Sequence, residues 1–319
     1  MFEKVLPSHP DKMCDRLAGA IVDLAYSKEK NPRIAVEVLA GHGKVFIIIE
    51  TSLTREQLSC AEIDPIVWRI FGNDVEINVT IVSQDPILSD MQKEGMRTAD
   101  NGIFKGCPPT EEQRVLTSLA ATIYENFPYD GKYLAGGMTL NPGSEYQAEV
   151  YGVTICQSHA TEEEIDECMR QWEEANFGDM KNYPFEASCI NPLGPWTGGI
   201  NVDCGCTNRK LGSDMGDGVT GGGLMGKDLS KADVSVNIVC HLLAVRYGTQ
   251  IEACCSIGDE EVTFNGYYSI YAYERNLPKL PITMAFADIV EQARLYILTD
   301  CGGSFEKFAE WGLLRPGRK

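Results

Sequence analysis

The sequence predicts an α+β fold, and three observations carry that prediction. Strand-like segments arrive as a hairpin, helices follow in blocks, and no regular βαβ alternation organises the chain. The 319 residues suffice for two or three small domains. Hydrophobic residues at 44% and charged residues at 23% are the proportions of a globular protein.

The elements follow in order. Pro10 suits a first helical turn, and Met13, Leu17, Ile21 and Leu24 form an apolar stripe, so a helix runs from His9 to about Tyr26. Residues 33–40 and 44–51 are strand-like and joined by Gly41-His42-Gly43, a hairpin turn. Residues 76–84 form another strand, and the polar stretch 85–101 is a loop of functional length. Thr110 with Gln113, and Thr161 with Glu164, are capping boxes that open helices over 110–126 and 161–175. Residues 146–157 are strand-like between them. Ser230 is expected to cap a helix that Gly248 stops, and a last helix spans about 284–298. Asp130-Gly131-Lys132 and Asp100-Asn101-Gly102 are expected as short turns. We expect domains at 1–90, 98–186 and 187–319, with interleaved elements.

Composition excludes several classes. A net charge of −18 repels nucleic acid and anionic membranes, so any phosphate site must be a local cluster of Lys and Arg. No apolar run is long enough to cross a bilayer, and the first residues carry no apolar signal-peptide core, so we expect a cytoplasmic protein. The 12 cysteines include no C-x-x-C pair and are expected to be reduced, mostly as small core residues.

Four constellations carry chemistry. His9-Pro10-Asp11-Lys12 puts an imidazole and a carboxylate in a first helical turn, which favours anions and, through Asp11, Mg²⁺; plain helix capping is the alternative. Glu37 and Glu50 lie in apolar strands, opposite or diagonal across the hairpin, either around a cation or ligand amine or at solvated strand ends. Eight glycines lie from Gly205 to Gly226, and Gly221 to Asp228 nearly matches a P-loop but ends in Asp228 where a hydroxyl is needed. We therefore read a phosphate cradle with Lys227 and Lys231, and Asp233 as a second metal ligand, rather than a P-loop or a flexible surface loop. Finally, Asp203 through Lys210 supplies Arg209 and Lys210 for oxyanions and Asp203 for an amine.

Taken in order, these segments resemble the S-adenosylmethionine synthase (methionine adenosyltransferase) family over residues 1–265. Ser8-His9-Pro10-Asp11-Lys12 is similar to the family's Gly-His-Pro-Asp-Lys, and Val36-Glu37-Val38 and Ile49-Glu50-Thr51 to two of its strands. Gln84 before Asp85-Pro86, Ala99 to Gly102, Asp130 to Lys132, Ile190 to Pro192 and Gly198-Gly199 follow in register. Asp203 to Lys210 and the glycine-rich tract, one residue shorter, complete the series. The chain departs from the pattern at Ser8 and Asn208, where the family has glycine, at Val234, where it has Arg, and in shorter segments around Trp196 and 85–99.

The resemblance implies three similar sheet-plus-helix domains around a pseudo-threefold axis. It implies a homodimer, or a tetramer built from it, with active sites between subunits. ATP and L-methionine are the implied substrates, with two Mg²⁺ and a K⁺ per site. Carried over residue by residue, catalysis falls to His9, Lys132, Arg209, Lys227 and Lys231, and ATP contacts to these (Lys231 excepted) with Asp100, Asp130, Trp196 and Lys210. Methionine falls to Glu50, Gln84, Asp203, Lys231 and Ile257, Mg²⁺ to Asp11 and Asp233, and K⁺ to Glu37. The implied reaction yields S-adenosylmethionine, phosphate and diphosphate. The competing classes are a non-catalytic nucleotide-binding homologue, an ATP or tripolyphosphate phosphohydrolase that would not need Glu50, Gln84 and Asp203, and a metal-binding structural protein using the cysteines.

Overall fold

A computed structural model describes residues 1–87, 96–140, 149–178 and 185–317. The chain falls into three successive runs of similar order. The first is β1 (Phe2–Val5), α1 (Pro10–Lys28), β2 (Ile34–Gly41), β3 (Lys44–Thr51), α2 (Cys60–Phe71) and β4 (Glu76–Ser83). The second is β5 (Gly102–Gly106), α3 (Glu111–Asn126), β6 (Gly131–Leu140), β7 (Glu149–Gln157), α4 (Glu162–Phe177) and β8 (Phe185–Ile190). The third begins with β9 (Cys204–Cys206), α5 (Leu211–Met215), α6 (Ala232–Tyr247), β10 (Ile251–Cys255) and β11 (Glu261–Gly266). It continues through α7 (Ile270–Glu274), β12 (Ile282–Ala285), α8 (Phe286–Asp300) and α9 (Phe305–Trp311).

The described residues form three four-stranded sheets, ordered β4-β3-β2-β9, β1-β6-β7-β8 and β12-β11-β10-β5. This is the expected α+β architecture. Each run opens with a short strand that leaves its own sheet: β1 pairs with β6, β5 with β10, and β9 with β2. The exchange is cyclic, and every sheet is completed by another run. The first two runs close alike, with a strand parallel to the second hairpin strand (β4 on β3, β8 on β7). In the third run β12 lies antiparallel to β11.

Local chemistry explains the elements. The β2–β3 turn is His42-Gly43 with φ of 49° and 79°, the left-handed pair a two-residue hairpin needs. Thr110 accepts from Gln113 N and Thr161 from Glu164 N, so both expected capping boxes are present. Gly248, φ 62°, stops α6 as expected. Helix α6 is buried nearly all round, including Val234, Val236, Ile238 and Val239, and serves as the shared core helix. A second core joins α3 and α4 to β1, β6 and β7 through Leu116, Tyr133, Val153 and Trp172.

Three expectations are corrected and one helix was missed. Ser230 does not cap α6; Lys231 is the N-cap position. The buried Asp228 carboxylate instead accepts from Ser230 N and Ile34 N, both at 2.8 Å, and holds an Asx turn against β2. The last predicted helix starts at Phe286, because Ile282-Thr283-Met284 pair with β11. Asp130-Gly131-Lys132 is not a free turn but the start of β6, where Lys132 pairs with Val5 and Cys156. Helix α2 was not anticipated, although Ser59 and Glu62 form a start signal: Ser59 N donates to Glu62 Oε2 at 3.4 Å. The expected strand over 146–157 is described from Glu149 on; residues 88–95 of the polar loop lie outside the described residues.

Candidate active site

The site grows from the β1–α1 junction. Ser8 is anchored by its hydroxyl to Tyr124 Oη at 2.9 Å and to the Pro128 carbonyl at 3.0 Å. His9 follows as the N-cap of α1, and its Nδ1 accepts from Asp11 N at 3.2 Å. With Nδ1 an acceptor, the neutral ring carries its proton on Nε2. Burial, reinforced by the charges of Lys210 and Lys132, pushes the His9 pKa down to about 4. His9 therefore stands neutral at physiological pH as an N–H donor.

Strand β9 is pressed onto this turn. A Cβ at Gly205 would lie 2.1 Å from the Pro10 carbonyl oxygen, so only glycine permits the approach. Cys206 N then donates to Asp11 Oδ1 at 2.9 Å, and Arg209 and Lys210 approach the Asp11 carboxylate at 3.5 and 3.9 Å. Asn208 adopts φ 63°, the conformation for which glycine is the usual residue. Its side chain serves a second purpose, accepting from Met225 N at 2.8 Å and donating to the Met225 carbonyl at 3.3 Å. Its backbone N donates to Asp15 Oδ1 at 2.8 Å. This substitution ties the glycine-rich tract to the Arg209-Lys210 turn.

The edge of β6 supplies the opposite wall. Lys132 and Lys210 are bridged by Glu3, at 3.5 and 3.2 Å, and the two cations hold its carboxyl below the usual range against the opposing effect of its partial burial. Burial lifts the Asp130 carboxyl to about 6 even though its Oδ2 accepts from Gly199 N at 2.7 Å. Its Oδ1 is buried without a hydrogen-bond partner among the described residues. Gly198, φ 60°, lets the 192–199 loop close on Asp130 and on the half-buried Trp196. Asn191 fastens that loop by donating to the Gln157 and Ala160 carbonyls, both at 3.0 Å. His9, Asp130, Lys132, Trp196 and Asp203 thus line one cleft of about 460 Å³, with Cys156 on its floor.

The remaining predicted residues form two further groups. Lys227 pairs with Asp233 at 2.6 Å, and a Cβ at Gly222 would lie 2.4 Å from Asp233 Oδ1. The tract is stitched to β2, where Val36 N donates to the Gly226 carbonyl at 2.7 Å and Lys227 bridges to Ala35. Glu37 is exposed and accepts from Thr207 Oγ1. Register places Glu37 opposite Ile48 and Ala35 opposite Glu50, so the two acids are diagonal on one face. That face is the outer one, where Leu39, Phe46, Ile48 and Val82 are exposed. Gln84 is buried at its end, with Oε1 unpartnered among the described residues. Lys231 is half-buried at the N-cap of α6. Asp100 and Ile257 form the third group, joined through Ile257 N donating to Asn101 Oδ1 at 2.8 Å. None of these residues lines the His9 cleft.

The donor chemistry suits hard cations brought by a phosphate chain. Asp11 and Asp233 each offer one carboxylate, and no cluster of three His, Cys, Asp or Glu is present among the described residues. Mg²⁺ fits such sites because it takes one or two carboxylates and completes its shell with phosphate oxygens and water. Sequence reasoning missed Glu3, Asn191 and Asp15. Asp15 and Asp214 enclose the fully buried Lys12 at 3.1 and 2.6 Å beneath the His9 turn. Among the described residues, no helix is long and apolar enough to cross a membrane.

The three exchanged sheets define a protein with the S-adenosylmethionine synthetase fold. A solved structure described as an unusual S-adenosylmethionine synthetase from Campylobacter jejuni superposes with a TM-score of 0.73, covering 98% of this chain and 94% of that one. At 18% identity that likeness is one of fold. Residues 1–79 match the family model described as S-adenosylmethionine synthetase, N-terminal domain. S-adenosylmethionine synthase 2 of Rhodospirillum rubrum is 28% identical over 274 residues, 76% of this chain and 70% of that protein. The S-adenosylmethionine synthase of Mycoplasma capricolum is 26% identical over 278 residues, with 76% and 71% covered. This chain is a compact, divergent relative of the S-adenosylmethionine synthases.

Proposed function

We propose that the chain is itself an S-adenosylmethionine synthase, converting ATP, L-methionine and water to S-adenosylmethionine, phosphate and diphosphate. The observation that carries this reading is the neutral His9, fixed as an Nε2–H donor between Lys132 and Lys210 in the cleft walled by Trp196. The thioether sulfur uses its lone pair to bond C5′ of ATP. The C5′–O bond breaks, and its electron pair leaves on the triphosphate. The sulfur becomes a sulfonium, and no general base is needed. The barrier lies in the charge gathering on the leaving oxygen, so preorganised donors and cations supply the main catalytic effect.

In this reading His9 donates to the leaving bridging oxygen. Lys132, Arg209, Lys210, Lys227 and Lys231 clamp the phosphates, and Trp196 with Asp130 and Asp100 receives the adenosine. Glu50, Gln84, Asp203, Lys231 and Ile257 hold methionine. Asp11 and Asp233 hold Mg²⁺, which neutralises phosphate charge when bound, and Glu37 holds K⁺. Water then hydrolyses the tripolyphosphate.

The separation of the site residues into three groups supports a homodimer. A second copy on the outer sheet face would cover Leu39, Phe46 and Ile48 and bring Glu50 and Gln84 to the partner's cleft. Mass spectrometry of the purified protein with ATP, methionine, Mg²⁺ and K⁺ tests the reading. Formation of S-adenosylmethionine with phosphate and diphosphate, only when methionine is present, is expected. Phosphate release with or without methionine and no S-adenosylmethionine would replace it with a phosphohydrolase.

A further inference from the structure

A second cavity, of about 210 Å³, lies away from the His9 cleft, where α3 and α6 meet the segment after α9. Arg114 and Thr117 come from α3, His241 and Val245 from α6, and Leu314 and Arg315 from the final segment. Among the described residues, no acidic one lines it. That absence is notable in a chain of net charge −18.

Three features point to an anion. Arg114 and Arg315 make no ion pair among the described residues. Each is fixed by a backbone carbonyl: Arg114 Nη1 donates to Pro109 at 3.1 Å and Arg315 Nη1 to Lys307 at 2.8 Å. The remaining guanidinium N–H groups have no carboxylate within ion-pair distance among the described residues, with Glu310 acting on Arg315 only at longer range, and such a fork suits an oxyanion. The third feature is Thr117, 2% exposed, whose hydroxyl has no hydrogen-bond partner among the described residues. A buried hydroxyl left unsatisfied is costly, and a ligand oxygen would satisfy it. Val245 and Leu314 make the walls apolar, which lowers the local dielectric and strengthens any charge-assisted hydrogen bond formed there.

We propose that this cavity is a second anion site, for a small tetrahedral oxyanion of the phosphate class, bound by Arg114, Arg315 and the Thr117 hydroxyl. The cavity shares no lining residue with the His9 cleft, so it is not part of that site.

Calorimetric titration of the full chain with inorganic phosphate, at fixed ionic strength and without nucleotide or divalent metal, tests this. The titration is repeated on the Lys132→Ala/Lys227→Ala double variant, which removes phosphate ligands of the candidate active site. One phosphate per chain should remain in that variant. Adding Arg114→Gln or Thr117→Val should weaken it by about tenfold each, the loss expected for one charge-assisted or buried hydrogen bond. Arg114 is exposed and Thr117→Val keeps its shape, so both variants are expected to fold, which circular dichroism checks. Phosphate binding that vanishes in the double variant, or that is unchanged by both Arg114→Gln and Thr117→Val, overturns the proposal.

Discussion

Glu3 Oε1 lies 3.2 Å from Lys210 Nζ, and the other oxygen of the same carboxylate reaches Lys132. One acid in a strand of four residues thus positions two cations, Lys132 from β6 and Lys210 from the turn after β9. Glu3→Gln should lower turnover by about three- to tenfold, the scale of one or two partly exposed ion pairs. Because Glu3 also favours the protonated form of His9, its loss should push the His9 pKa further down. Steady-state kinetics combined with NMR titration of His9 checks both outcomes.

His9 itself should titrate far from ordinary histidine. Its pKa of about 4, against 6.5 for an unburied imidazole, keeps the ring signals flat from pH 8 to about 5. Between pH 4 and 6.5 the unfolded chain binds the extra proton, so this group makes stability fall as pH drops through that window. Asp130 acts oppositely: raised from 3.8 to about 6, it makes stability fall as pH rises between those values. Comparing denaturation of the protein and its His9→Asn variant isolates the histidine, and the gap between them should shift in the acid direction stated.

Lys227→Ala should cost about 10²-fold or more in S-adenosylmethionine formation, as expected when one transition-state cation is lost. The fold should survive, since the half-buried pair with Asp233 is its only ion pair among the described residues. Full activity in this variant would remove Lys227 from the phosphate clamp.

Gly205→Ala should destabilise the protein by about 1–3 kcal/mol or more, because the new methyl meets backbone rather than a movable side chain. Urea denaturation measures the loss. Activity per folded molecule should drop as well, since Arg209 and Lys210 follow β9 wherever it moves.

Ile48→Glu, at a position 56% exposed in the single chain, should split the proposed dimer without unfolding the subunit. Light scattering after size exclusion would read the change from two chains to one, and a wild-type chain already alone in solution would refute the shared-site arrangement.

The sequence spoke clearly where signals are local. The capping boxes at Thr110 and Thr161 and the His42-Gly43 turn depend on neighbours three or four residues apart, and all three stand where expected. It was silent where partners are distant. Strand β1 is four residues long and finds its partner at Lys132 to Ala135, so nothing near Phe2 announces it. Helix α2 carried its own start signal, but Pro65 inside it broke the periodic pattern. At the site, the local pattern of charges singled out His9, Asp11 and Lys210, and Lys132 came only with the family resemblance, while Glu3 and Asn191 act through contacts that only the assembled sheets create.

The cyclic exchange of edge strands also sets a timetable for synthesis. β1 leaves the ribosome well before its partner, which begins at Gly131. At roughly 5–20 residues per second it waits many seconds with its backbone unsatisfied. The sheet nearest the amino terminus is likewise finished only by Cys204 to Cys206. The first two thirds therefore each hold a strand without its partner until a later third arrives, and the chain must reach the conclusion of its fold as one event rather than three.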